Sequence, residues 1–285
     1  MIKSNSKSLV SKLSSPKGYS RIFFNATSVL AVLLLTLFSL SSCAKKDSGN
    51  LLSQIKNKGE ITVATEGTWA PWTFHNEEDK LTGFDVEVAK LIAKKLNVKP
   101  NIVEVEWDGI FAGIDSKRYD IAANGVEITL ERSQKYNFSI PYGYVKTAVI
   151  VRKDNDSIKS FNDLKGKTTA NTLASTYALM AEEYGAKALG VDDLNQTLEL
   201  VLAGRVDATL NSDVSFYDYI KSHPDANLKI ACVTEGASEI SIPLRSTSDC
   251  DSLLTEINKA IQELSDEGEL SRISIQFFGQ DITHK

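Results

Sequence analysis

The stretch ANGVEITLERS, residues 123–133, places an arginine where its local field opposes it. Thr129 stands where a helix N-cap belongs, and Arg132 follows three residues later. A cation there faces the positive end of the helix dipole, at a cost of a few tenths to about 1 kcal/mol. A guanidinium is also a planar fork of donors that suits a carboxylate bidentately. Two readings are open: a surface arginine paired with Glu131 or Asp108, or a site for an anionic group. Glu127 precedes it, and a carboxylate in a closed cleft is costly without a cationic partner. It reads as an exposed edge carboxylate, a partner of Arg132, or a holder of a cationic group. Ser175 and Thr176 open another helix, where free N–H groups and hydroxyls can meet an anion or simply cap the helix. Trp69 and Trp107 offer faces that cover aliphatic stems or sulfur and attract cations, or they pack in a core. Asn124 and Gly125 are candidates for amide and backbone contacts, or a plain strand-end turn. His75, His223 and His284 are far apart and lack a CxxC-type partner, so no metal site and no cofactor are expected.

Periodicity supplies the elements that must carry these groups. Residues 60–64 read as a buried strand. From Phe84 to Leu96, Phe84, Val88, Leu91, Ile92 and Leu96 form an apolar stripe against Glu87, Lys90, Lys94 and Lys95. Strands at 101–105 and 120–123 flank a short helix at 108–117. This β-α-β-α-β order predicts a mostly parallel sheet with helices on its faces. A strand at 148–152, a turn or short helical segment at 161–167 and a strand at 168–171 follow. Helices at 175–184, 194–203 and 214–222 alternate with strands at 206–210 and 228–233. The chain ends with a strand at 240–244 and helices at 253–264 and 270–278. Ligand sites in open α/β sheets lie beyond the carboxyl ends of strands. The turns at 67–71, 124–129, 172–176 and 211–213 all follow expected strands, two in each half, so a cleft between the halves can be lined by all four.

The chain has 285 residues and a net charge of −5. Its first 42 residues hold Lys3, Lys7, Lys12, Lys17 and Arg21 and no acid, so without them the charge changes from −5 to −10. An acidic body argues against nucleic acid as a partner. The basic start, the apolar run VLAVLLLTLFSL at 29–40 and Leu40-Ser41-Ser42-Cys43 read as a targeting segment. The run is short for a spanning helix of ~20 residues. It resembles a bacterial lipobox, with residues 1–42 as lipoprotein signal peptide, Cys43 lipidated, and 43–56 as a tether. Outside the cytoplasm, Cys232 and Cys250 are free to form a disulfide; two buried thiols are the alternative.

Further motifs carry a family resemblance. GTWAPWTF (67–74), LTGFDVEVA (81–89), WDGI (107–110), RYD (118–120), ITLER (128–132), FSIPY (138–142), LKGK (164–167) and AGRVDA (203–208) occur in order over nearly all of the expected mature chain. Together they resemble the polar amino-acid-binding proteins of bacterial ABC importers, solute-binding family 3. The resemblance implies a two-lobed periplasmic-binding-protein fold of type II. Lobe one would combine 57–146 with 238–285, lobe two would be 147–237, and two crossover strands would form the hinge. It also implies that Arg132 holds the α-carboxylate of an amino acid, with Ser175, Thr176 and Thr172 opposite, and that Trp69 and Trp107 sandwich its side chain. Family members commonly place an aspartate where this chain has Ser212. The amine would then fall to Asp213 or to Glu127, which stands where Ser or Thr is usual. The stretches around 107–109, 115–118 and 135–139 look most like cystine- or cysteine-binding members, and a second acid at Glu127 would also suit lysine or arginine.

The expected function is therefore capture of an amino acid for a membrane permease and its ATPase, by a monomer held at the membrane through its lipid. The alternatives are an enzyme on the same fold, such as a prephenate-type dehydratase using Glu127 as acid or base, and a sensor or adhesin that kept the fold.

Overall fold

The computed structural model describes residues 49–285. The expected signal peptide and Cys43 lie outside them. The expected tether is shorter than 43–56, because a helix begins inside it. Helix α1 (Leu51–Lys58) is capped by Asn50, whose side chain accepts from Ser53 N, and Leu51 and Ile55 enter the core. Its apolar positions are four residues apart and so share one face.

The first half is built on a three-stranded parallel sheet. Strand β1 (Glu60–Thr65) lies between β5 (Lys99–Glu104) and β6 (Ile121–Ala122). Between β1 and β5 the chain adds a small antiparallel sheet, β2 (Thr68–Trp69), β3 (Thr73–His75) and β4 (Leu81–Thr82), and then helix α2 (Phe84–Lys95). Helix α3 (Trp107–Asp115) joins β5 to β6, as the β-α-β order requires. After the four-residue helix α4 (Leu130–Ser133), β7 (Tyr136–Phe138) pairs with β15 (Pro243–Arg245).

Strands β8 (Gly143–Val145) and β14 (Ser238–Ile240) form a two-stranded antiparallel ribbon. The chain passes along β8 into the second half and returns along β14. The second half centres on β9 (Thr147–Arg152), antiparallel to both β12 (Thr209–Ser212) and β13 (Leu228–Val233). Strand β9 enters straight from the ribbon rather than over a crossover helix, so nothing obliges it to run parallel to its neighbours. A parallel pair, β10 (Thr168–Asn171) and β11 (Lys187–Gly190), joins β12 through the Thr169–Ala208 bridge. Helices α5 (Thr176–Glu183), α6 (Leu194–Leu202) and α7 (Asp213–Ser222) connect these strands. The strand expected at 206–210 lies at Thr209–Ser212, and the one expected at 240–244 is split between β14 and β15, which pair with different partners. Helices α8 (Asp251–Asp266) and α9 (Glu269–Phe278) close the chain against the first half, with Leu253, Ile257, Ile261 and Leu264 buried. Cys232 is half-buried, Cys250 is buried, and both are free thiols.

Candidate ligand-binding site

A small cavity lies between the halves, lined by residues of both. The first half lines it with Trp69, Trp107, Gly125, Glu127 and Arg132, and the second with Thr172, Ser175 and Thr176. Three expected residues do not line it. Asn124 is a fully buried brace: its Oδ1 accepts from Glu66 N at 2.7 Å and from the Thr65 hydroxyl at 3.2 Å, and its Nδ2 donates to Glu66 Oε2 at 2.5 Å. Ser212 caps α7, accepting from Ser215 N at 3.3 Å. The Asp213 carboxylate accepts from Lys146 N at 3.3 Å and Val214 N at 2.9 Å. Both groups are taken up by backbone donors. Thr68 and Asn211 line the cavity from the expected turns at 67–71 and 211–213, while Glu66, Tyr177, Asp193 and Leu194 line it and were missed. The turn after the first strand was the available signal for Glu66, which directly precedes it; nothing in the sequence ties Asp193 to the site.

At one end stands Arg132. Thr129 is the N-cap, its hydroxyl accepting from Arg132 N at 3.1 Å. The side chain turns back from the four-residue helix, and Nη1 donates to the Glu127 carbonyl at 3.1 Å. Its guanidinium carbon lies 5.1 Å from the Trp107 ring centroid and 5.3 Å from that of Phe111, which gives the charge two aromatic faces. Among the described residues Arg132 makes no ion pair; Glu131 pairs with Lys135 at 2.9 Å instead. Burial lowers the guanidinium pKa, and the Glu127 charge opposes that shift. Glu127 is 5% exposed, and its Oε1 has no hydrogen-bond partner among the described residues. Burial raises its pKa, while Arg132 and the nearby hydroxyls of Thr176, Ser238 and Tyr177 draw it back. The segment is held to the ribbon by Ile128 N donating to Glu239 O at 2.9 Å and Ser241 N to Val126 O at 3.0 Å.

Helix α5 approaches this end from the second half. Ser175 is its N-cap, with Oγ accepting from Ala178 N at 3.1 Å and donating to Thr172 O at 2.6 Å. The Thr176 and Tyr177 N–H groups precede the helical ladder and carry the positive end of the dipole.

The other end is acidic. Burial pushes the Glu66 carboxyl up to about 7; the Asn124 bond opposes this, and the charges of Asp193 and Asp108 add to it. Asp193 is the N-cap of α6, accepting from Gln196 N at 2.9 Å. Trp69 also lines the cavity, stacked on Trp72 at 5.3 Å with 23° between planes. Gly125 has φ 55°, and a Cβ there would fall 2.6 Å from the Trp69 ring, so no side chain fits. Its N–H donates to the fully buried Asp85 carboxylate, which also accepts from Tyr142 OH at 2.8 Å. Burial pushes Asp85 up to about 7 against these two bonds. Trp72 is fully buried, whereas Phe74 is only partly so.

With this geometry in place, the comparisons define the class. The sequence matches the bacterial extracellular solute-binding proteins, family 3, over residues 61–280, and the chain belongs to that family. It is 40% identical to the L-cystine-binding protein TcyA of Bacillus subtilis over 261 residues, covering 88% of this chain and 96% of that one. Among solved structures it is similar to the unliganded open L-cystine solute receptor of Neisseria gonorrhoeae (38% identity, TM-score 0.58, 83% of this chain and 100% of that one). It is also similar to an ancestral arginine-binding protein bound to arginine (36% identity, TM-score 0.72, 78% of this chain and 99% of that one). These neighbours place the fold among two-lobed amino-acid-binding proteins. No helix among the described residues is long and apolar enough to cross a membrane.

Proposed function

We propose that this protein is the extracytoplasmic substrate-binding subunit of an ABC importer. It captures L-cystine between its lobes by hinge closure and delivers it to a membrane permease and its ATPase. The observation that carries the reading is the presence, in one cavity, of a guanidinium that makes no ion pair among the described residues and of two further carboxylates, Glu66 and Asp193. Arg132 and the start of α5 clasp one α-carboxylate, and Glu127 takes the adjoining ammonium. Glu66 and Asp193 take a second cationic group, which a simple amino acid lacks and which cystine and lysine carry as an ammonium and arginine as a guanidinium. The 40% identical relative named for L-cystine favours cystine among these.

Two further proposals complete the reading. The lobes are 147–237 and the remainder of the body, hinged on the β8–β14 ribbon. Superposition is better on the arginine-bound neighbour than on the unliganded open one, despite the latter's higher identity, which supports a closed arrangement here. A lipid on Cys43 would hold this monomer at the membrane. A calorimetric screen of the twenty amino acids plus cystine, on the body beginning after Cys43, tests the function. Cystine binding at 1:1 with no loss of ligand on incubation is expected. Indifference to every amino acid sinks the importer reading, and consumption of the ligand would favour an enzyme.

A further inference from the structure

Away from the ligand cavity, a buried side-chain bond crosses the seam between the halves. Trp72, in the turn between β2 and β3, donates from Nε1 to Ser215 Oγ in the first turn of α7 at 3.1 Å. Ser215 Oγ lies 2.7 Å from Ser212 Oγ, and all three residues have no exposed surface. None of them lines the cavity, but Trp72 stacks on Trp69, which does. Phe84 and Phe278 meet the Trp72 ring edge-on at 5.8 and 4.9 Å between centroids. The indole therefore has little room to shift, and its one polar atom is spent on the opposite half.

We propose that Ser215 is a positioning residue for ligand capture. It anchors Trp72, and through Trp72 the Trp69 wall of the cavity, to the opposite lobe when the cleft is shut. The inference rests on the amino-acid-binding reading above. In the shut state the indole N–H and the serine hydroxyl are dry and satisfy each other. With the cleft open, water can pair with both. Deleting the hydroxyl leaves a buried donor unpaired only when the cleft is shut, so the whole penalty falls on the ligand-holding state.

The test compares the parent, S215A and S215T with L-cystine, or with whichever amino acid the screen selects. S215A is expected to weaken binding by about 5- to 100-fold. The loss should appear as faster dissociation, with association little changed and ligand-free melting close to the parent's. S215T keeps the hydroxyl and is expected to restore slow release. If S215A releases ligand at the parental rate, or if S215T fails as badly as S215A, the inference is overturned while the functional reading stands. A parent that binds no amino acid overturns both.

Discussion

The two ends of the cavity are built on different principles. At the Arg132 end, cation and carboxylate come from one turn of chain, five residues apart, and a second lobe adds a helix start. At the Glu66 end, two acids come from opposite halves, 127 positions apart in the chain, and no cation answers them among the cavity-lining residues. The first end is largely preorganised by aromatic faces and backbone. The second is held in a strained electrostatic state, since burial and like charge both disfavour ionised Glu66. A ligand ammonium would relieve that strain. The difference suggests that the Arg132 end supplies recognition common to α-amino acids, and the acidic end supplies discrimination among them.

The comparison can be broken at either end. Arg132→Ala should cost the largest factor, about 100-fold or more in affinity for any amino-acid ligand, because a buried carboxylate would lose its charged partner. Calorimetry that found the variant binding like the parent would remove the basis of the site. Glu66→Gln or Asp193→Asn should cost about 10-fold or more for L-cystine and little for a ligand with a single ammonium. Equal losses for both ligand types would erase the distinction between the ends.

Proton linkage sharpens it. Glu66 must ionise to hold a cation, and its ligand-free pKa stands near 7. Affinity for L-cystine should therefore be full above about pH 7 and fall as pH drops below it, and Glu66→Gln should flatten that profile. Binding isotherms between pH 5 and 8 check this, and an equally steep profile in the variant would reassign the titration. The smallest effect concerns the empty protein. Glu66 and Asp85 are raised to about 7 from ordinary values of 4.5 and 3.8, so between those limits the folded state binds more protons than the unfolded one. Their contribution to stability is complete at the acidic end of the window, declines as pH rises and levels off above about 7. Melting of Asp85→Asn and Glu66→Gln across that window should show a shallower decline than the parent.

Local signals in the chain settled a good deal. Thr129 ahead of Arg132, Ser175 ahead of α5, and the three- and four-residue spacing of α2 each depend on neighbours within one turn, so periodicity and capping reveal them without knowledge of the fold. The alternation of strands and helices gave two α/β halves for the same reason, and the turns after the strands pointed to most of the cavity wall. Tertiary structure decided the rest. Asn124 and Asp213 have the chemistry of ligand contacts, but backbone donors from distant segments claim them, and which donors arrive is a matter of packing. Asp193 and Glu66 meet only because two halves face each other across a ribbon. The strand expected at 240–244 divides because its two ends find different partners. Capping and periodicity are short-range energies written along the chain. The pairing of buried polar groups is a long-range accounting that closes only when the whole molecule has folded.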